Sequence, residues 1–351
     1  MRIGFHDPHL ATMGGGERYL LAAMAAVAGE AELTLLSPTP PDSEGVRRLG
    51  VHLAPDAFRW SAADVTAESR QLDVLFSLTN EVPPRSHARR SVAMIQFPHR
   101  SHTGPRARVL RLAGLSRAVR ALASYDSFLC NSEFTRSHVR ARLGVDAAVL
   151  PPPIDVPASV PGASEREPLI LAVGRFFRGW HSKNQHVLIE AMERLGASGW
   201  HLVLAGGADD GAYVRQLRER ADGLPVELRL DVPRPELERL YGQAALFWHA
   251  AGHAQDERHP ERLEHFGITT VEAMAHAVVP LVFAAGGPAE VVEDSRTGRH
   301  WRTIDELAAL SRELIDNRAE RSRVAEAARA EAQRYSSERF KAAIRTELLG
   351  S

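Results

Sequence analysis

The stretch that decides the fold is EHFGITTVEAMAHAVVPLVFAAGGPAE, residues 264–290. Its first half predicts a helix over 267–276, and the short apolar run at Val279–Phe283 predicts a strand. Gly286 and Gly287 follow that strand and predict a tight turn that opens another helix. A helix, a strand and a glycine turn in this order are typical of an α/β fold with a parallel sheet.

The same alternation of short apolar runs and amphipathic stretches extends along the chain and predicts two successive Rossmann-like units with parallel sheets. The strands expected in the first half lie near Ile3–His6, Leu33–Ser37, Val74–Ser77, Val92–Gln96, Ser127–Cys130 and Val149–Leu150. Those expected in the second half lie near Leu169–Val173, His201–Ala205, Val226–Leu230, Ala245–Trp248 and Val279–Phe283.

Three consecutive prolines at 151–153 begin a Pro/Ser/Ala-rich stretch in which this periodicity is lost. Such a stretch is typical of a linker between domains. We therefore expect a first domain over 1–155, a linker over 156–168, a second domain over 169–334 and a final helical segment over 335–351.

Composition indicates a soluble globular enzyme, with 44% apolar and 25% charged residues in 351. The net charge of −1 gives no general attraction to nucleic acid. Cys130 is the only cysteine, so no disulfide forms within the chain. The longest uncharged apolar run, about 20–28, is too short to span a membrane, and no targeting signal is visible. We expect a cytoplasmic protein.

The loop from Gly174 to Gln185 is a candidate phosphate site, because it follows a predicted strand at the end where α/β sheets bind ligands. Arg175 offers a planar fork of donors and Lys183 a compact charge, which together suit a diphosphate. Lys183 is one of only two lysines among 43 basic residues. A solvated basic loop is the alternative, and the rarity of lysine favours a specific role.

Two glutamates eight positions apart, Glu264 and Glu272, flank the start of the helix expected at 267–276. Their carboxylates can accept hydrogen bonds from sugar hydroxyls. Gly267 and Ile268 present backbone N–H groups at the same helix start. A solvated helix face is the alternative for such glutamates.

Two glycine turns open predicted helices and could offer N–H groups to an anion. The first contains Gly14, Gly15 and Gly16; the second is Gly286-Gly287. The first lacks the spacing and the following acid of a dinucleotide-binding fold, so a simple tight turn is an equal alternative.

A cluster of possible metal ligands lies between the last two predicted strands but has no recognised zinc spacing. Its members are His249, His253, Asp256, Glu257, His259, Glu261 and His265. We expect no bound metal.

The segment from Val82 to Tyr125 holds nine arginines and three histidines but no Asp or Glu. Within it, Arg100–Arg120 interleaves arginines with leucines and a valine, which predicts a basic amphipathic face. Such a face could contact an anionic membrane or an anionic acceptor, and an ordinary solvated helix is the alternative. Co-sedimentation with anionic liposomes at low and high salt would test the membrane contact.

Together these motifs resemble those of glycosyltransferase family 4, whose members are retaining enzymes with the GT-B fold. Residues 264–290 resemble the family's signature of two glutamates separated by seven residues, with the strand and glycine turn that follow. Arg175 with Lys183 resembles its diphosphate-binding pair, and Gly14–Arg18 resembles its N-terminal glycine loop. Two segments resemble the end of its N-terminal domain: 130–134 and 150–155.

The resemblance implies two Rossmann-like domains whose sheets face a central cleft, with the acceptor bound by the first domain and the nucleotide sugar by the second. It also implies a last helix that crosses back to the first domain. Arg175 and Lys183 would bind the donor diphosphate, Glu264 the donor sugar and Glu272 the ribose. The donor site would further include Gly15, Gly16, Phe266, Gly267 and Ile268.

One position departs from the family pattern, which often has a histidine at the end of the fourth N-terminal strand. Gln96 stands in that place here, with His99 three residues later. Either His99 substitutes for the family histidine, or Gln96 serves as a neutral hydrogen-bond partner.

The resemblance therefore implies transfer of a sugar from a UDP- or GDP-linked donor to a glycan, lipid-linked or small-molecule acceptor, without metal or other cofactor. Two alternatives stay open: a nucleotide-sugar epimerase of the same fold, and an inactive sugar-binding or scaffold protein. No role in binding nucleic acid is expected.

Overall fold

The computed structural model describes residues 1–99, 116–162, 165–179 and 181–350. The chain divides into two compact units. The first comprises Met1–Pro153 with Ser337–Ser351, and the second comprises Ile154–Ser336. Each unit has its own parallel sheet and its own buried core.

The sheet of the first unit has seven strands among the described residues, in the order β3-β2-β1-β4-β5-β6-β7. They are β1 (Arg2–His6), β2 (Glu32–Leu36), β3 (Phe58–Ser61), β4 (Val74–Thr79), β5 (Arg90–Ile95), β6 (Ser127–Cys130) and β7 (Ala148–Val149). Its helices are α1 (Gly15–Val27), α2 (Ser43–Arg48), α3 (Val65–Glu68), α4 (Arg117–Leu122) and α5 (Glu133–Leu143). Ser132 caps α5, since its hydroxyl accepts a hydrogen bond from the Thr135 N–H at 3.0 Å.

In the described part of the second unit, the sheet has six parallel strands, in the order β10-β9-β8-β11-β12-β13. They are β8 (Leu169–Val173), β9 (His201–Gly206), β10 (Val226–Leu230), β11 (Leu246–His249), β12 (Val279–Phe283) and β13 (Arg299–Trp301). Its helices are α6 (Gln185–Leu195), α7 (Gly211–Ala221), α8 (Arg234–Gln243), α9 (Ile268–Ala275), α10 (Gly286–Val291), α11 (Ile304–Asp316) and α12 (Arg318–Ala332). Central strands such as β11 are buried throughout, because helices cover both faces of a parallel sheet.

The last helix, α13 (Ser337–Leu349), belongs to the first unit and packs on α1. Phe340, Ile344 and Leu348 are buried at helical spacing in the core of that unit. The Phe340 ring meets the Tyr19 ring edge-on, with 4.9 Å between ring centroids.

Two edge strands, β3 and β13, are absent from the sequence prediction. Both are short, at four and three residues, and β3 is partly exposed. An edge strand has a partner on one side only and needs no long apolar run. The strand expected over 92–96 instead runs from Arg90 to Ile95, which places Gln96 just beyond its end.

The expected alternation of strands and helices in two α/β units is confirmed. No helix among the described residues is long and apolar enough to span a membrane.

Candidate functional site

The candidate site of the second unit lies at the carboxyl edge of its sheet, around the ends of β8 and β11. These strands are neighbours, and the strand order reverses direction between them. Ligands of open α/β sheets bind at such a reversal, because the loops on its two sides diverge and leave a crevice. The loop after β8 carries Arg175 and Lys183, and the segment after β11 leads to Glu264.

Lys183 and Glu264 form an ion pair across this edge, with the lysine Nζ donating to Glu264 Oε2. Both side chains are mostly buried, with 24% and 20% of their surface exposed. The lysine stem lies on Gly174, where an added Cβ would collide with Lys183 Cγ. The glycine therefore leaves room for the stem to reach the site.

The Glu264 carboxyl is held in its charged form. Burial alone would raise its pKa, but the charge of Lys183 and its hydrogen bond outweigh burial and hold the pKa well below the usual range. Glu264 is therefore a carboxylate near neutral pH and accepts hydrogen bonds without donating any, and its role in binding the donor sugar stays a prediction.

Arg175 lies at the solvent side of the same loop, with 52% of its side chain exposed. Its Nη1 is 3.2 Å from Asp209 Oδ2, and its guanidinium lies 5.1 Å from the centre of the Phe177 ring. The Gln185 amide donates to the carbonyls of Gly174 at 3.2 Å and Arg175 at 3.0 Å. The loop backbone is thus fixed, while the guanidinium remains accessible to an anion.

Glu272 lies inside α9, and Glu264 precedes it, as expected from the sequence. Glu272 is 2% exposed, and both of its carboxylate oxygens have partners inside the unit. Arg234 Nη1 donates to Oε1 at 2.7 Å, and the Tyr241 hydroxyl donates to Oε2 at 3.1 Å. The ribose role expected of Glu272 stays a prediction.

The N-terminus of α9 begins at Gly267, whose φ of 95° favours glycine. The N-cap residue is a glycine and supplies no side-chain cap, so the first N–H groups of α9, from Ile268 onward, point beyond its start. Phe266 is buried beside it, with 4% of its surface exposed. Phe266 therefore serves the core at this position, and a direct donor contact by its ring stays a prediction.

The second glycine turn has a role other than the expected one. Gly287 N–H donates to the Glu264 carbonyl at 2.8 Å, so it is not free to bind an anion. An added Cβ at Gly286 would collide with the same carbonyl oxygen. The turn instead positions the backbone of Glu264, and only glycine allows so close an approach.

The N-terminal glycine loop opens α1 in the first unit. Glu17 Oε2 accepts the Gly14 N–H at 2.6 Å, so this N–H is already used in a capping box. Gly15 and Gly16 are the first two residues of the helix and stay candidates for binding an anion. An added Cβ on Gly16 would be 3.7 Å from Gln96 Cγ, which places Gln96 beside the loop.

Gln96 is oriented by Asn131, whose amide donates to Gln96 Oε1 at 3.2 Å and to its carbonyl at 3.1 Å. The buried Gln96 Nε2 has no hydrogen-bond partner in the described part of the chain. His99 lies three residues on, and its N–H donates to the Asn80 carbonyl at 3.0 Å. Gln96 is thus the residue that adjoins the glycine loop, and its catalytic role stays a prediction.

The ligand-rich segment after β11 forms no metal cluster: over the described ranges, no three His, Cys, Asp or Glu side chains converge. His253 instead packs against the rings of Phe283 and Trp301, each at 5.5 Å between centroids. Asp256 and His259 pair with neighbouring side chains of the same loop. Metal-independent activity stays a prediction.

The basic segment Arg100–Arg120 falls largely outside the described residues, since 100–115 are not described. Arg117 and Arg120 lie in α4. The membrane contact expected of this segment stays a prediction.

The sequence analysis did not predict three polar residues of these sites, of which Tyr241 and Asp7 are buried and Arg234 is partly buried. Arg234 and Tyr241 hold Glu272, and they come from α8, 38 and 31 positions before it. Asp7 follows β1 and is fully buried, with the pKa of its carboxyl raised to about 7 by burial and by Glu17. A polar residue at the carboxyl end of a parallel strand was the one available signal for Asp7.

The family comparison finds a similarity over most of the second unit. Residues 158–331 match the model of the family described as glycosyl transferases group 1. This part of the chain is therefore similar to the glycosyltransferases of that family. The match includes the Arg175–Lys183 loop and both glutamates.

More specific relatives are mannosyltransferases. The proteins named GDP-Man:Man(3)GlcNAc(2)-PP-Dol alpha-1,2-mannosyltransferase from Dictyostelium discoideum and Homo sapiens are each 27% identical to this chain, over 237 and 241 residues. The alignments cover 60% and 61% of this chain. They cover 45% and 46% of the relatives, so the chain spans about half the length of the relatives it matches.

Solved structures show the same fold. Alr3699/HepE of Anabaena, crystallised with UDP and glucose, has a TM-score of 0.72 and 18% identity over 100% of both chains. Sucrose-phosphate synthase from Thermosynechococcus elongatus has a TM-score of 0.70 and 16% identity, over 98% of this chain and 97% of that one. The expected GT-B fold is confirmed.

Proposed function

We propose that the chain is a retaining glycosyltransferase that moves a hexosyl group from a nucleoside-diphosphate sugar to a glycan, lipid-linked or small-molecule acceptor. The observation that carries the proposal is the Lys183–Glu264 pair at the carboxyl edge of the sheet. It puts a cation for the diphosphate directly beside a carboxylate for the sugar.

GDP-mannose is the donor that we propose first, with a UDP-sugar as the second choice. The mannosyltransferase relatives are named for GDP-Man and for a PP-Dol-linked acceptor. The HepE structure contains UDP, but its 18% identity to this chain is evidence for the fold only. A lipid-linked acceptor would also fit a protein that contacts a membrane at its periphery.

In the proposed reaction, the bond between the sugar C1 and the diphosphate oxygen breaks while a bond from C1 to the acceptor oxygen forms. Negative charge grows on the leaving diphosphate, and Lys183 and Arg175 stabilise it more strongly as it grows. The Glu264 carboxylate accepts hydrogen bonds from the sugar and holds it in place. The acceptor hydroxyl transfers its proton to the leaving phosphate oxygen.

A donor panel with and without acceptor tests this function. Purified protein is incubated with GDP-mannose, UDP-glucose or UDP-GlcNAc, together with a lipid extract, and nucleoside diphosphate release is measured. Release that depends on acceptor supports a transferase. Epimerised donor without acceptor would indicate an epimerase, and no turnover with any donor would indicate a binding protein.

The product is expected to keep the anomeric configuration of the donor. In the proposed step the acceptor attacks from the face that the diphosphate leaves. We assign no carboxylate as a nucleophile that would form a covalent intermediate. Proton NMR of the product formed in the first minutes, before any slow anomerisation, shows the configuration directly. An inverted product would exclude this mechanism.

Activity is expected to survive EDTA at a concentration that removes divalent cations. Lys183 and Arg175 supply positive charge where other transferases use a metal ion. The transfer rate is measured before and after chelation, with the chelator removed by gel filtration as a control. A complete loss that Mg²⁺ or Mn²⁺ restores would show that the diphosphate is bound through a metal.

A further inference from the structure

His249 is the last residue of β11 and is 3% exposed. Neither ring nitrogen has a hydrogen-bond partner in the part of the chain that the structure describes. Its Nε2 is 3.9 Å from Glu264 Oε2, the same oxygen that Lys183 holds. A buried polar group without a partner costs free energy, which favours any state of the site in which the imidazole gains one.

The space beside the ring limits what that partner can be. A cavity of about 10 Å³ adjoins His249, and its lining includes Lys183, Gln185 and Trp248. A space of about this size holds one water molecule. Gln185 is fixed by its two hydrogen bonds to the loop. Glu264 is the neighbouring group that a short movement can bring into hydrogen-bond distance.

We propose that His249 is a positioning residue. Its imidazole donates a hydrogen bond to the Glu264 carboxylate when Lys183 binds the donor diphosphate. When the Lys183 ammonium contacts a phosphate, its ion pair with Glu264 becomes weaker. With His249 as a second partner, Glu264 remains anchored while it holds the donor sugar. The inference rests on the proposed function, since it requires a diphosphate beside Lys183.

The electrostatics of the site give this exchange a measurable signature. Burial, and next the charge of Lys183, lower the pKa of His249 to about 4, while Glu264 acts in the opposite direction. A phosphate that neutralises Lys183 removes part of the lowering, so the pKa of His249 rises when the nucleotide binds. The other titratable groups facing Glu264 are His265 and His181, and burial lowers the pKa of His181.

Calorimetric titration with GDP, and separately with UDP, tests the exchange. Each titration is run near pH 6.5 in buffers of different ionisation enthalpy, which gives the number of protons taken up. We expect the wild type to take up a measurable fraction of a proton more than His249→Gln, because the rise in the imidazole pKa binds protons and a glutamine side chain does not titrate. Comparing the two proteins cancels the protons that the nucleotide itself binds.

The kcat of two His249 variants distinguishes a positioning role of this residue from a structural one. The glutamine side chain introduced by His249→Gln would retain an N–H donor at similar reach, so its kcat is expected to stay within about twofold of wild type. His249→Leu has no donor, and its kcat is expected to fall about 10-fold with little change in the donor KM, as for loss of one hydrogen bond to a charged group. His259→Asn, at an exposed site in the segment that follows β11, is the matched control.

Equal proton uptake in wild type and His249→Gln would overturn the inference, as would an unchanged kcat in His249→Leu. If His249→Leu does not fold, the proton uptake of His249→Gln decides by itself. If neither GDP nor UDP binds the wild type, the proposed function fails, and the inference fails with it. Binding with unchanged proton uptake overturns the inference alone.

Discussion

Lys183→Ala is expected to lower the transfer rate by on the order of 10²–10³, the loss typical of removing one donor to a developing anion. The lysine charge acts most strongly when the diphosphate leaves, so kcat should fall more than donor affinity. Initial rates with saturating acceptor give both constants. The control is Lys341→Ala, because Lys341 is the only other lysine and lies exposed on α13.

Further variants test how the charge and the position of Lys183 contribute to the rate. Arg175→Ala should cost a similar factor, and the double variant should lose less than the product of the two losses, since both side chains hold one group. Lys183→Arg should stay well below wild type, because a planar fork does not reproduce a point charge on a flexible stem. Gly174→Ala leaves every charge in place but displaces the lysine stem, so its rate should fall too.

Lys183→Ala is expected to keep the fold but to lose stability, because it leaves the mostly buried Glu264 carboxylate without its cation. Its melting temperature is therefore expected to fall by several degrees, at about 2–4 °C per kcal/mol for a unit of this size, and rates are compared well below that temperature. Near-normal turnover and donor affinity in Lys183→Ala would show that the diphosphate lies elsewhere.

Glu272→Ala is expected to destabilise the second unit by roughly 3 kcal/mol, because it leaves the charge of Arg234 without its buried partner. The Tyr241 hydroxyl also loses the carboxylate that it bonds. Urea unfolding, followed by tryptophan fluorescence, gives the change in the free energy of unfolding. The control is Arg239→Met on α8, the helix that carries Arg234. Because Arg239 is exposed, this change should alter the free energy of unfolding by less than about 0.5 kcal/mol.

A double-mutant cycle separates the ion pair from other effects of Glu272. If Arg234 and Glu272 stabilise the unit through each other, then Arg234→Met combined with Glu272→Gln costs less than the sum of the single changes. Additive losses would mean that the pair contributes nothing of its own. The affinity of the Glu272→Gln variant for GDP tests the separate ribose role. If Glu272 binds the ribose, the weaker contact with its hydroxyls should lower this affinity several-fold.

The local sequence pattern was sufficient to predict the central strands and the helix start near Glu264 and Glu272. Hydrophobic periodicity predicted the strands that are buried on both faces, since apolar runs are required wherever helices cover both sides of a sheet. The spacing of Glu264 and Glu272 predicted one carboxylate before the helix and one within it, because a helix start is encoded by neighbouring residues. Short edge strands such as β3 lack this signal and were missed.

Tertiary structure decided which side chains meet. Lys183 and Glu264 are 81 positions apart, and they form a pair because β8 and β11 are adjacent in the sheet. The partners of Glu272 and the burial of His249 depend in the same way on strand order and helix packing. Sequence alone determined which residues were available and in which local elements they lie. The pairing of distant residues is set by the global fold, whose long-range contacts no local pattern encodes.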